Sequence, residues 1–145
     1  MFNVARFISK VNAIESAPPS NRIQFASDWS DVFVGAYGNP MPPTLTSIPA
    51  KGAMFSMFLL AYGNNDNGKT LMNAGVSLFA ATMAPGMLPL FAAIPPLSYQ
   101  GFSQTNIDGT TTIGLLGPAL AAATDPWFRT GTAVNVASGV TIPWS

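Results

Sequence analysis

The chain has 145 residues, of which 48% are hydrophobic and only 8% are charged, and its six basic and six acidic residues cancel. It contains no cysteine and no histidine, which excludes disulfides, thiolate nucleophiles, Ser-His catalysis and most zinc and iron sites. The length suits one domain, and we expect residues 1–145 to form a single one.

The low charge also limits the partners. Without net charge there is no electrostatic field to attract nucleic acid or an anionic membrane. The charged fraction of 8% is about a third of what soluble domains usually carry. We therefore expect other protein or lipid to cover much of the surface. A secretory signal is not expected either, because Arg6 and Lys10 interrupt the apolar run near the start of the chain.

Two amphipathic helices are predicted in the first third of the chain. Helical spacing of apolar residues predicts the first over residues 3–15, capped by Asn3 and ended by the prolines of "SAPPS". The second is predicted from a Ser20 cap to about Tyr37, and the sequence "GNPMPP" stops it. The apolar stripe of the second helix is Ile23, Ala26, Trp29, Phe33, Ala36 and Tyr37.

Two further helices are predicted on either side of residues 63–70. The third helix begins at Ser47 and runs through "GAMFSMFLLAY", which is apolar almost all round and therefore predicts a buried helix. The fourth runs from Thr70 to about Ala84. Its predicted apolar side carries Leu71, Leu78 and Phe79, and Asn73 and Ser77 fall on another side.

Prolines dominate the second half of the chain. They predict an extended or broken segment from Pro85 to about residue 102, followed by a short helix near Pro118. A new helix is predicted after it, with Thr124 as cap and Pro126 in its first turn, ending at Gly131. The remaining tail alternates loosely and predicts a strand or an extended arm.

These elements together predict a mainly α domain of about four to six helices with Pro-rich extended connections. An amphipathic helix occupies residues 1–18, a helical body residues 20–130, and an extended C-terminal arm residues 131–145.

The stretch "GNNDNGKT", residues 63–70, matches the phosphate-binding loop pattern G-x-x-x-x-G-K-[ST], with Lys69 and Thr70 at the pattern's last two positions. That loop requires a β-strand before it and a helix after it, within a parallel sheet. The preceding segment is rich in Ala, Met and Leu, which favour helix, and no series of β-rich runs surrounds it. We therefore interpret the stretch as a turn between two helices, in which Gly63 ends the third helix and Asp66 or Asn67 begins the fourth.

Other catalytic or metal-binding patterns are weak. A calcium loop aligned on Gly68 would place Gly63 and Ala74 at ligand positions, which neither can fill. Asp28 and Asp31 form either a metal or acid/base pair or, as we expect, a solvated helix face. No lysine occurs in the S-x-x-K context that would activate a serine. We assign no catalytic, cofactor-binding or metal-binding residue and expect no cofactor and no enzymatic activity.

A membrane-active alternative arises from the absence of charge between Thr70 and Ile107. Residues 74–97 are long and apolar enough for a membrane span, but their prolines argue against one continuous helix. Buried core or a protein contact is the favoured interpretation. Trp127, Phe128, Arg129 and Trp144 are either interface anchors or core residues.

Three segments resemble small virion-associated structural proteins of tailed bacteriophages. They are "FASDWSDVFVGAYGNPMPPT", "MAPGMLPLFAAIPPLSYQGF" and "WFRTGTAVNVASGVTIPWS". The residues that carry the resemblance are Trp29, Pro95, Pro96, Gly101, Phe102, Trp127, Arg129, Thr130, Gly131, Thr132, Ala133, Pro143, Trp144 and Ser145. The resemblance implies a particle component, assembled in the host cytoplasm, without catalytic residues.

Three functions follow as hypotheses. The first is a non-enzymatic assembly component of a phage virion (tail, baseplate, neck or capsid-associated) that contacts other virion proteins and copies of itself. The second is a membrane-active phage or bacterial protein with a helical hairpin. The third is a phosphate-loop nucleotide-binding protein. For the first, no nucleic acid and no small-molecule substrate is expected.

Overall fold

The computed structural model describes residues 2–36, 47–105 and 113–144. In chain order the helices are α1 (Val4–Ser16), α2 (Arg22–Ala36), α3 (Ser47–Ala61), α4 (Gly68–Met83), α5 (Gly101–Gln104) and α6 (Leu116–Arg129). A 3₁₀ turn at Ala84–Met87 follows α4, and the strands are β1 (Phe91–Ile94), β2 (Thr132–Asn135) and β3 (Thr141–Pro143). The prediction of a mainly α fold is confirmed. The predicted end of α2 at Tyr37 and the "GNPMPP" stop lie outside the described residues.

Side-chain caps fix the beginnings of the first two helices. Asn3 caps α1 as predicted, because its Oδ1 accepts the N–H of Arg6 at 2.9 Å. The predicted Ser20 cap of α2 is wrong by one position. Asn21 Oδ1 accepts the N–H of Gln24 at 2.9 Å, and the Ser20 N–H donates to the Gln24 side chain at 3.1 Å. Asn competes well with Ser as a cap, so the two positions could not be separated by pattern.

The helical stripes are buried on one side only. In α2 the residues Ala26, Trp29, Phe33 and Ala36 are buried, but Ile23 is 68% exposed, so its predicted place in the stripe is wrong. Helix α3 is predicted to be a buried helix because it is apolar almost all round, but within the chain only one side of it is buried. Its buried stripe is Ala50, Met54, Phe58 and Ala61, and Leu60 is 62% exposed.

An aromatic cluster joins the helices at the centre of the core. Phe102 lies edge-on to Trp29, Phe33, Phe58 and Tyr99, with ring centroids 5.5 to 6.4 Å apart. Edge-to-face contacts of this kind add about 0.5–1.5 kcal/mol each to the burial itself. Phe102 comes from the Pro-rich half of the chain, so this cluster fixes that half against α2 and α3.

Helix α4 buries Phe79 of its predicted apolar side, but it also buries Asn73 of its predicted polar side. Asn73 is buried; its Nδ2 donates to Ser103 Oγ at 2.7 Å and its Oδ1 accepts the Phe102 N–H at 3.1 Å. Ser77 Oγ accepts the Tyr99 N–H at 2.9 Å. By contrast, Leu78 is 43% exposed. The irregular backbone near residue 100 needs hydrogen-bond partners, and the polar side chains of α4 supply them.

Helix α6 is continuous from Leu116 to Arg129, so the predicted break with a Thr124 cap is wrong. Pro126 lies inside the helix. The Thr124 hydroxyl donates to the Leu120 carbonyl at 2.6 Å, a bond within the helix, and caps no new one. The proline and threonine that signalled a helix start are accommodated because Trp127 and Phe128 pack into the core and hold the last turn in place.

The chain's end folds back as a hairpin, which corrects the predicted extended arm in favour of the strand. Strand β2 lies between β1 and β3, and both pairings are antiparallel. Trp144 is buried at 1% exposure, and its indole N–H donates to the Thr132 carbonyl at 3.1 Å. The last turn of the tail is therefore anchored to the body by its tryptophan.

Candidate functional site

The phosphate-loop-like stretch at residues 63–70 connects two helices. Helix α3 ends at Ala61, Gly63 has a positive φ of 74°, and α4 begins at Gly68. A left-handed glycine after the last turn is the usual end of a helix. The predicted helix–turn–helix joint is confirmed, and the strand that a phosphate loop requires in front of it is a helix here.

Several backbone N–H groups of this turn, those of Asn64, Asn67 and Gly68, are used internally. The Asn67 N–H donates to Asn64 Oδ1 at 3.0 Å, and the Gly68 N–H donates to the Asn64 carbonyl at 2.8 Å. A phosphate loop instead turns successive N–H groups toward its ligand. Lys69 and Thr70 are exposed on the first turn of α4. The turn therefore matches the sequence pattern of the motif but lacks its phosphate-binding arrangement of backbone N–H groups.

The carboxylates of α2 are surface groups. The Asp31 carboxylate forms an ion pair with Lys51, with Oδ1 and Nζ 2.5 Å apart, and both side chains are more than a third exposed. Asp28 and Asp31 share a groove of about 290 Å³ with Lys10 of α1. Within residues 2–36, 47–105 and 113–144, no three acidic side chains come together as a metal site would need. Paired carboxylates with lysines nearby fit the solvated helix face.

Tyr99 is the one strongly perturbed titratable group among those described. Burial raises the pKa of its hydroxyl well above the usual range, and a hydrogen bond to Thr124 at 2.8 Å opposes that shift. The neutral phenol therefore belongs to the core and cannot act as a base near neutral pH. Sequence reasoning did not single out Tyr99, because an isolated tyrosine in a Pro-rich stretch carries no pattern.

Two of the segments that carry the bacteriophage resemblance, those that contain Leu97 and Trp127, contact each other in the fold. The Trp127 indole N–H donates to the Leu97 carbonyl, and the Leu97 N–H donates to Thr130 Oγ1 at 3.4 Å. A Cβ on Gly131 would lie 2.8 Å from both Pro96 and Trp144, so only glycine fits between them. These residues are core contacts, which decides the open question of Trp127, Phe128 and Trp144 in favour of packing.

The most unusual surface of the described chain is the outer face of the sheet. Register places six side chains on that face: Ala92, Ile94, Thr132, Val134, Thr141 and Pro143. Ile94 is 63% exposed, and Leu90 and Leu97, which flank β1 along the chain, are 61% and 76% exposed. No charged residue occurs in residues 70–107 or 130–145. We call this face, with its flanking leucines, the uncharged sheet surface.

Sequence periodicity did not indicate this surface. Each strand is only three or four residues long, and two of them come from the tail and one from the Pro-rich segment. Exposed apolar side chains grouped on a face without charge are typical of a surface that another molecule covers.

Comparison with known proteins adds no identification: no family model matches the chain, and no curated protein or solved structure does. In the described ranges, no helix has both the length and the hydropathy to span a membrane.

Proposed function

We propose that this protein is a non-enzymatic structural or assembly component of a bacteriophage virion, associated with its tail, baseplate, neck or capsid. It acts through contacts with other virion proteins and with copies of itself, after assembly in the host cytoplasm. The virion assignment rests on the resemblance of the three segments quoted above. The assembly role is supported by the uncharged sheet surface.

That surface is the observation that carries the proposal. Ile94, Leu90 and Leu97 are each more than 60% exposed in a region of the chain that has no charged residue. An exposed apolar face without charges is poorly protected against association, so a free monomer is disfavoured. In a particle the same face would be covered by a neighbouring subunit. The catalytic alternatives have no such support, since Asp31 is partly exposed and paired with Lys51, and Tyr99 is neutral and buried.

The experiment that tests this function is the location of the protein in purified particles. Phage particles from cells that carry the gene are banded on a density gradient, and the bands are analysed by mass spectrometry. We expect the protein at constant stoichiometry in the particle band. A protein found only in the soluble fraction at the top of the gradient would rule out the virion role.

A membrane-active role is the second candidate, because the same surface could lie on lipid. Flotation with neutral and anionic vesicles distinguishes the two roles. A membrane-active protein floats with both vesicle types, since no charge of the surface selects a headgroup. A particle component stays at the bottom of the gradient.

A further inference from the structure

The two edges of the sheet are not equivalent. In β3 the backbone N–H and C=O groups of Ile142 point toward β2, so the backbone groups of Thr141 and Pro143 point away from the sheet at its edge. Pro143 has no N–H, and a proline at the outward position is a common protection against further pairing. The β3 edge is therefore blocked at one of its two outward positions.

The β1 edge is open over a short window. The Val136 N–H donates to the Leu90 carbonyl at 3.0 Å. The backbone N–H and C=O groups of even-numbered residues in β1 therefore point toward β2, and those of odd-numbered residues point away from the sheet, along its plane. Phe91 and Ala93 thus present their N–H and C=O groups away from the sheet, and no partner for them occurs within the described ranges. The next outward positions are Pro89 and Pro95, which have no N–H. The prolines limit the open edge to two residues.

This window is self-complementary. If two β1 strands run antiparallel with Ala92 opposite Ala92, Phe91 of one copy faces Ala93 of the other, and each such pair can exchange two hydrogen bonds. Pro89 then faces Pro95, so no N–H group is left without an acceptor at either end. The central side chain is only a methyl group. Beside the edge lies a groove of about 370 Å³, lined only by alanine, proline and leucine, including Ala84, Pro85 and Leu88.

We infer that the β1 edge binds the β1 edge of a second copy of this chain about a twofold axis at Ala92, which joins two three-stranded sheets into one of six strands. Absence of charge in residues 70–107 means that two identical edges do not repel each other. The inference deepens the proposed function by naming a second copy of the chain as the partner of one edge of the sheet. It rests on the edge geometry, so it can fail while the assembly role stands.

A pair of matched variants tests it. Ala92 and Thr141 both pair with Val134, both are exposed, and both lie on the outer face, but they belong to opposite edges of the sheet. Ala92→Lys puts two ammonium groups across the twofold axis, where like charges directly opposite each other destabilise pairing. Thr141→Lys adds the same charge far from that axis. Sedimentation velocity of the full chain measures the dimer dissociation constant of each.

We expect the wild type to dimerise, Ala92→Lys to weaken the dimer roughly tenfold or more, and Thr141→Lys to leave it within about twofold. An equimolar mixture of Ala92→Lys and Ala92→Asp should restore a dimer that native mass spectrometry identifies as the heterodimer. This rescue shows that both variants fold. A monomeric wild type, equal effects of the two lysine variants, or failure of the mixture to pair would each overturn the β1 contact. Equal weakening by both lysines in a chain that still enters particles would leave the assembly role intact.

Discussion

At the scale of single residues, the polar groups buried around residue 100 have specific partners, whereas Ser30 Oγ and Asn12 Oδ1 are buried without one among the described residues. The Tyr99 hydroxyl pairs with Thr124, and Asn73 binds both Ser103 and the backbone of Phe102. A Cβ on Gly101 would lie 2.1 Å from the Tyr99 hydroxyl, so glycine is required where the ring folds back. The stretch around residue 100 is thus held by hydrogen bonds, and the cost of burying polar groups is offset.

Tyr99 predicts a loss of stability at alkaline pH. Since burial raises the pKa of its hydroxyl in the folded chain, both states are protonated below about pH 10, and stability is unaffected there. Above about pH 10 the unfolded chain releases the proton and the folded chain retains it, which lowers the unfolding free energy by up to about 1.4 kcal/mol per pH unit. Urea denaturation between pH 8 and about pH 11.5 measures this slope. Tyr99→Phe should reduce the slope, and Tyr62→Phe, at an exposed position, is the control. An unchanged slope in Tyr99→Phe would contradict the buried neutral phenol.

At the scale of elements, close packing of α3 and α4 depends on a glycine. A Cβ on Gly75 would lie 2.9 Å from the Phe58 ring and 3.1 Å from Met57 Cβ, so the two helices approach closely there. A Cβ added to Gly52 of α3 would have no other atom within 4 Å. The two helical glycines therefore have different roles, although each appears in the sequence as an isolated glycine in an apolar helix.

Alanine substitutions should separate these two glycines. Gly75→Ala should lower the unfolding free energy by about 1–3 kcal/mol, because the added methyl group overpacks the contact with Phe58. Gly52→Ala should raise it by about 0.5–1 kcal/mol, since alanine favours helix and meets no neighbour. Chemical denaturation of both variants measures the difference. Stabilisation of similar size in both would show that α3 and α4 are not in close contact at Gly75.

At the scale of the whole molecule, charge is distributed unevenly. Arg6, Lys10 and Asp31 lie on α1 and α2, whereas the sheet strands and the Pro-rich segment around β1 contain no charged residue. The described ion pairs, Lys51–Asp31 and Asp125–Arg129, are both partly exposed and contribute little to stability. If copies associate through the sheet as proposed, we therefore expect the contact to consist of apolar side chains and backbone hydrogen bonds.

Salt should not dissociate the self-associated protein. Raising NaCl from about 0.05 M to about 0.5 M shortens the Debye length about threefold, which weakens contacts between charges and leaves apolar burial intact. Sedimentation velocity across this range should give an unchanged or tighter association. Dissociation at high salt would show that ion pairs hold the copies together, and the sheet surface would not be the contact.

Sequence alone determined the elements that rest on local rules. Asn3 as a cap, the bounds of α3 near Ser47 and the joint at Gly63 follow from backbone chemistry within a few residues. The phosphate-loop motif could be judged locally as well, because helix-favouring residues precede it.

Tertiary structure decided what depends on distant partners. Asn73 and Ser77 face inward because residues 99–103 need hydrogen bonds there, and Pro126 stays inside α6 because Trp127 and Phe128 are buried. The tail becomes part of a three-stranded sheet because β1, some forty residues earlier, pairs with β2. No local pattern carries these contacts, since pairing and burial are fixed by residues remote in the chain. The open edge at Phe91 and Ala93, and with it the inferred contact between copies, exists only once that pairing is made.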